Sequence, residues 1–256
     1  MMKALEKEVG FSLFIKGKKG AALTPEAQSL IPAVRALLSA DEVVRQEISA
    51  LKGAPTGTIT IGTYLSCSIH WIPEIIQKFQ ESHPNIVFKV IEGAEDDLPD
   101  WIQERRVDIG FLSHQEVHHY QFLPVMDDEL FAVLPKGHPL EEYDAIPMKK
   151  FSGAPFVTTE YAPGSDIYRI LKEFQLKPDI RFLSINEFSV LSMVEHGLGI
   201  TILPGLLLRG HSGNFVKRRL EPRSFRRLGL GYSSYDDLSP ASRIFLEYAK
   251  SFLLDD

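Results

Sequence analysis

The sequence predicts an α/β protein whose two-lobed body is reached through a short basic N-terminal piece and one long helix. Three observations carry this reading. Residues 24–52 hold a helical repeat with a narrow apolar stripe. Beyond a glycine- and proline-marked break, strand and helix patterns alternate. The same alternation then returns in the later half of the chain, which implies two similar lobes.

With 256 residues the chain has room for more than one core. Its 44% apolar and 24% charged residues place it in the soluble globular class. The longest nearly uninterrupted apolar stretch, Gly197 to Leu208, is shorter than the roughly 20 residues a bilayer span needs. Met1-Met2-Lys3 leads into no apolar signal core, so a cytoplasmic protein is expected. A single cysteine, Cys67, forms no intramolecular disulfide, in keeping with a reducing compartment. The net charge of −6 is uneven, because residues 1–23 hold five Lys against two Glu and the remainder is acidic. A basic tip on an acidic body suits contact with an anion such as DNA, or else the lysines simply keep that surface solvated.

Lys3 to Val9 are good helix formers, and Gly10 stops them. Lys16, Lys18 and Lys19 then fall in a glycine-marked hairpin. Thr24 is an expected N-cap, with Pro25 at the first helical position and Glu26 against the positive end of the dipole. Ala27, Leu30, Val34, Leu37, Asp41, Val44, Ile48 and Leu51 follow at alternating steps of three and four, the spacing of a coiled-coil seam that only Asp41 interrupts. Such a helix is about 40 Å long, with Pro32 kinking it and no body of its own to cover it. A facing helix is the expected cover, against the alternative of lying flat on its own body.

Gly53 to Gly57 reads as a hinge. Thr58–Thr63, a helix from Ser66 to Glu81, Val87–Ile91, a helix from Leu98 to Arg105 and Val107–Leu112 then give βαβαβ, hence a mainly parallel sheet. Phe156–Thr159, a helix from Ser165 to Phe174, Ile180–Ile185, a helix from Glu187 to His196 and Gly199–Leu203 repeat it. Leu130–Pro135 reads as a crossover strand, Phe215–Leu220 and Leu228–Tyr232 as return strands, and Ser239-Pro240 opens a closing helix.

In Leu5-Glu6, Gly10, Leu13-Phe14, Lys16, Lys19-Gly20 and Leu23-Thr24 the N-terminus resembles LysR-type transcriptional regulators, with Lys16 and Lys19 where that family usually has Arg. Leu134-Pro135 with His138-Pro139, Val194 with Gly197 to Ile200 and Leu203-Pro204, and Leu238 to Pro240 are similar to the family's effector-binding domain. The resemblance implies a winged helix-turn-helix remnant at 1–23, a linker and dimerisation helix at 24–53 and a periplasmic-binding-protein-like effector domain at 54–256. Its lobe I would take about 58–124 and 225–256, and lobe II about 125–224. Most of the DNA-binding head would precede Met1, so this chain is expected not to read a specific operator. Lys3, Lys16 and Lys19 would still touch phosphate or the minor groove. A homodimer through the 24–52 helix is implied, with a tetramer as a further step. No cofactor is expected.

In open α/β sheets ligands settle beyond the carboxyl ends of strands and at helix N-termini. Three loops qualify: Thr63 to Ser68, Ser113, and Tyr161 to Ser165. By resemblance, Thr63, Tyr64, Ser66, Cys67, Ser113, Gly164 and Ser165 would line an effector pocket. Hydroxyls and free helix N–H groups there suit a carboxylate or another anion. Ser66 and Ser165 serve equally well as plain helix caps. Cys67 fits pocket lining better than oxidant sensing, since no second cysteine is present to resolve a sulfenic acid. His114, Glu116, His118 and His119 read as a solvated loop rather than a metal site. Lys217 to Arg219, Arg223 and Arg226-Arg227 read as a charge-protected strand edge rather than a nucleic-acid contact. No G-x-S-x-G elbow, P-loop, G-x-G-x-x-G turn, H-E-x-x-H helix or cysteine pair occurs, so nothing points to an enzyme. A solute-binding protein of the same two-lobed shape is the alternative reading.

Overall fold

Glycine and proline positions mark several of the element boundaries in the computed structural model, which describes residues 2–17, 20–52, 56–114, 119–159, 165–184 and 186–255. Helix α1 (Met2–Val9) ends at Gly10, whose φ of +82° is open to glycine at no steric cost. Strands β1 (Phe14–Gly17) and β2 (Gly20–Leu23) form an antiparallel hairpin. A Glu6 carboxylate oxygen accepts from the Leu13 N–H at 2.8 Å and so ties helix to hairpin. Thr24 then caps α2 (Pro25–Leu51): its hydroxyl accepts from the Ala27 N–H at 3.1 Å and donates to the Ser12 carbonyl at 2.9 Å.

Helix α2 continues through Pro32, and most of its seam stays open, with Leu37 70% and Leu51 87% exposed. The expectation of a helix with no body of its own is nevertheless corrected. Gln46 is buried, and its side-chain oxygen accepts from the Ala241 N–H at 3.2 Å. Gly57 makes that fit possible, since a Cβ there would meet the Gln46 amide at 2.3 Å. Arg35 also pairs with Glu104. Polar residues between the seam positions thus bind α2 to the body, while the seam itself faces away.

The body begins with β3 (Gly57–Thr63), α3 (Leu65–His70), α4 (Ile72–Ser82), β4 (Ile86–Glu92), α5 (Asp97–Gln103) and β5 (Ile109–Ser113). One helix was expected over residues 66–81. Two form because Pro73 lacks an N–H and its ring crowds the preceding turn, so the chain breaks at Trp71 and restarts with Pro73 in the first turn. Strand β3 pairs in parallel with both β4 and β5.

Strand β6 (Gln121–Pro135) is far longer than the crossover expected at 130–135. Lobe II adds β7 (Ala145–Pro147), β8 (Pro155–Thr159), α6 (Asp166–Glu173), β9 (Asp179–Ser184), α7 (Glu187–Glu195), β10 (Thr201–Pro204) and a short apolar helix α8 (Gly205–Leu208). The two expected return strands are one strand, β11 (Phe215–Tyr232), with a register shift between Arg219 and Ser224. Helix α9 (Pro240–Asp255) closes lobe I.

The main sheet runs β10-β6-β11-β5-β3-β4, with β7 alongside β11. Strands β6 and β11 therefore serve both lobes: residues 228–231 pair with β5, and residues 130–133 pair with β10. One apolar core gathers Ile59, Ile61, Ile75, Phe79, Phe111 and Phe245. A second gathers Leu134, Phe151, Phe156, Ile170 and Ile202. The two shared strands run from one to the other. Because β11 lies inside the sheet, the reading of its arginines as an edge guard is corrected. Arg223 forks onto Glu129 and Arg227 onto Asp127, each across the β6–β11 pair. No helix among the described residues is long and apolar enough to cross a membrane.

Candidate functional site

The carboxyl ends of β3, β4 and β8 and the N-terminal turns of α6 and α7 open on one cavity of about 390 Å³. Lobe I supplies Tyr64 and Leu65, then Glu92 and the loop Gly93-Ala94-Glu95-Asp96. Gly93 is required there, since a Cβ would meet the Trp101 ring at 2.4 Å. Lobe II supplies Thr159, Ser165, Ile167, Asn186 and Glu187, and Arg226 enters from β11.

Arg226 and Asp128 are register partners on the two shared strands, and both are at least 96% buried. The Arg226 Nε donates to Asp128 Oδ2 at 2.9 Å, and its Nη2 donates to Ser66 Oγ at 2.7 Å. Asp128 Oδ1 accepts from the Leu206 N–H at 2.8 Å. One network thereby joins α3, both shared strands and α8. Burial pulls against the Arg226 charge, but Asp128 and then Asp166 keep its pKa raised.

A second junction crosses the cleft. The Asp166 N–H donates to Glu95 Oε2 at 2.6 Å, and the Ser113 hydroxyl donates to Asp166 Oδ1 at 3.4 Å. Arg169 donates to the Phe225 carbonyl at 2.8 Å. The other oxygen of Asp166, Oδ2, is buried and has no hydrogen-bond donor among the described residues, while Arg169 Nη2 also reaches Oδ1 at 3.3 Å. Burial, and then the neighbouring Asp166 carboxylate, hold Glu95 well above the usual carboxylate range. Burial likewise raises Glu187. Tyr64 is raised well above an ordinary phenol by burial, then by Glu95 and Asp166.

Of the residues singled out from the sequence, Tyr64 and Ser165 line the cavity. Ser165 also caps α6, accepting from the Tyr168 N–H at 3.2 Å. Ser66 and Ser113 lie behind the wall, in the two networks. Thr63 is fully buried, its hydroxyl turned to the Tyr64 carbonyl at 3.1 Å. The placement of Cys67 on the pocket wall is corrected: it is fully buried, is absent from the cavity lining and belongs to the lobe I core that also holds Ile75 and Phe111. Burial pushes its thiol up to about 12, so it is no thiolate at neutral pH. Lys3 is exposed on α1, far along the chain from this cleft. Gly164, Tyr161, Lys19, Glu116 and His118 lie outside the described residues, as does the Lys16 side chain. His114 and His119 are exposed, and no group of three or more metal-ligating side chains occurs among the described residues.

Sequence reasoning gave Arg226 only a strand-edge role and passed over Asp128, Glu95, Asp166, Asn186 and Glu187 as site residues. The loop after β4 obeys the same strand-end rule as the three loops chosen, and would have given Glu95. Asp127-Asp128-Glu129 against Arg226-Arg227 is a complementary pair of charge runs on two strands, which would have given the Arg226–Asp128 pair.

Residues 52–253 match the LysR substrate binding domain. The uncharacterized HTH-type transcriptional regulator YvbU of Bacillus subtilis strain 168 is 28% identical over 253 residues, covering 96% of this chain and 85% of that protein. The Hca operon transcriptional activator HcaR of Escherichia coli K12 is 24% identical over 220 residues, 84% of this chain and 74% of that one. The effector-binding domain of QuiR, solved in complex with shikimate, superposes with a TM-score of 0.68 at 25% identity, over 77% of this chain and 97% of that one. A full-length OxyR variant from Pseudomonas aeruginosa shares the fold with a TM-score of 0.73 at 19% identity, over 96% and 82%.

Proposed function

The chain belongs to the LysR family of transcriptional regulators, with the substrate-binding domain at residues 52–253, and from that premise we propose that its inter-lobe cavity is the effector site. The observation that supports this is positional: the cavity wall draws on both lobes, and the strands joining the lobes meet beside it at Arg226 and Asp128. A small molecule held there has different contacts in an open and a closed cleft, and that difference in affinity is what shifts the equilibrium between them. Tyr64 and Ser165 contact the effector, and Ser66 and Ser113 hold the groups behind them.

In this reading residues 1–23 contribute to the DNA-binding head through Lys3, Lys16 and Lys19. Residues 24–53 form the dimerising helix and 54–256 the effector domain, in a cytoplasmic homodimer that pairs into tetramers. The protein binds its effector without turning it over. The relatives' names as regulators, and a cavity wall whose described residues pair no nucleophile with a base, favour binding over catalysis.

A metabolite screen by thermal shift tests the site. A ligand that stabilises the wild-type protein should lose its effect in Ile167→Trp, which fills the cavity from the α6 side. Ligands that stabilise both proteins equally would place the effector site elsewhere.

A further inference from the structure

A second groove lies on lobe I, outside the cleft, and shares no wall residue with it. Its volume of about 520 Å³ suits a small molecule. Helix α3 reaches both places, with Leu65 at its start on the cleft and His70 at its end on the groove. Trp71, Val125, Met126, Phe252 and Leu253 give the groove an apolar wall drawn from the α3–α4 junction, β6 and α9.

The polar residues around that wall favour an anion. Arg209, which follows α8, lines the groove and has no carboxylate partner among the described residues. Glu74, the acid on the wall, is held at 2.8 Å by Lys78, which also sits 4.7 Å from the centre of the Phe252 ring. Two cations therefore stand against one carboxylate. His70 keeps its Nε2 sealed from water with no hydrogen-bond partner among the described residues. Burial, then Arg209 and His211, hold its ring below the ordinary histidine range, against the Leu207 carbonyl and Asp128, which favour the protonated form. The ring thus feels a positive charge that nothing beside it cancels. An acceptor brought from outside would satisfy both the bare nitrogen, as its Nε2–H tautomer, and the unpaired guanidinium.

We propose that this groove is a second ligand site, taking a small monocarboxylate with an apolar tail: the carboxylate on Arg209 and His70, the tail along Trp71, Met126 and Phe252. A guanidinium presents paired N–H donors to both oxygens of a carboxylate, and the thioether and rings accept an alkyl or aromatic tail. A bare anion leaves the wall unused, and an uncharged tail leaves Arg209 unpaired. The site stands whether or not the cleft is the effector site.

The test titrates the whole chain with 4-phenylbutyrate and octanoate. Its readouts are calorimetry and, in Trp101→Phe, the fluorescence of Trp71. Acetate, 4-phenylbutylamine and 4-phenylbutan-1-ol separate the contributions of charge and tail. Saturable binding of at least one of the two acids is expected, weakened about fivefold or more in Arg209→Gln and in His70→Gln and kept in Ile167→Trp. Unliganded melting curves establish that each variant folds. Asp255 and Asp256 follow the wall residue Leu254 in the chain. Replacing both with Asn should therefore hold or tighten the affinity for the acid. An affinity that falls in that variant, or that is unchanged in Arg209→Gln or His70→Gln, would overturn the proposal. So would equal binding of the amine or the alcohol, an equal response to acetate, or no binding of either acid at millimolar concentration. Acid binding abolished by Ile167→Trp and indifferent to Arg209→Gln would overturn the groove while leaving the effector cleft in place.

Discussion

Arg226 and Asp128 face each other as cross-strand partners at the point where β6 and β11 pass from one lobe to the other, 2.9 Å apart and sealed from solvent. Their neighbours in sequence, Arg227 and Asp127, make the same kind of pair at the surface. The pleat puts successive side chains on opposite faces, so one pair is buried between the lobes' shared strands and the other is screened by water.

The buried pair should behave as one coupled unit. Arg226→Met leaves Asp128 without its counter-ion and is expected to cost about 3–5 kcal/mol in denaturant unfolding. Removing both charges, as Arg226→Met with Asp128→Leu, should cost clearly less than the sum of the single changes. Additive losses would mean the two side chains act independently.

Cys67 should behave as an inert core thiol. Its burial and a pKa near 12 predict that a disulfide reagent at pH 8 labels it only as fast as the protein unfolds. Rapid labelling of the native protein would contradict the core placement.

Asp108 accepts from the Thr60 N–H at 2.7 Å, and burial raises its carboxyl to about 6. A folded-state pKa above the unfolded value means the native state holds its proton longer. Stability therefore falls as the pH rises from about 4 through 6. Asp108→Asn keeps an acceptor and removes the charge. It should melt nearly like the wild type at pH 4 and be more stable by about 2–3 kcal/mol at pH 8. A constant difference across that range would rule out the titration.

The open seam of α2 gives a prediction about mass. Val44 is 57% and Ile48 49% exposed, more than a lone chain needs to show in so regular a row. Val44→Asp with Ile48→Asp should shift the protein to a smaller species in sedimentation. An unchanged mass would remove the seam as an interface, and Gln46, which binds the body from the same helix, is left untouched as the control.

Local pattern was enough to place most helices and strands. The Thr24 and Ser165 caps are single-residue chemistry and act as the sequence implies. Pro73 shows the limit of periodicity: Ile69, Ile72, Ile75, Ile76 and Phe79 keep one helical spacing across a break that the proline imposes. The order of elements, read with the family resemblance, fixed the two-lobed architecture and its class. The face each residue turns, and what lies across from it, came only with the tertiary structure. Arg226 and Arg227 are adjacent and chemically identical, yet one is buried and the other lies at the surface, because strand pairing and sheet position decide which side of a pleat is dry. The lining of the cleft has the same origin. Glu92, Glu95 and Glu187 are scattered over nearly a hundred positions and carry no mutual signal until the lobes fold their strand ends together.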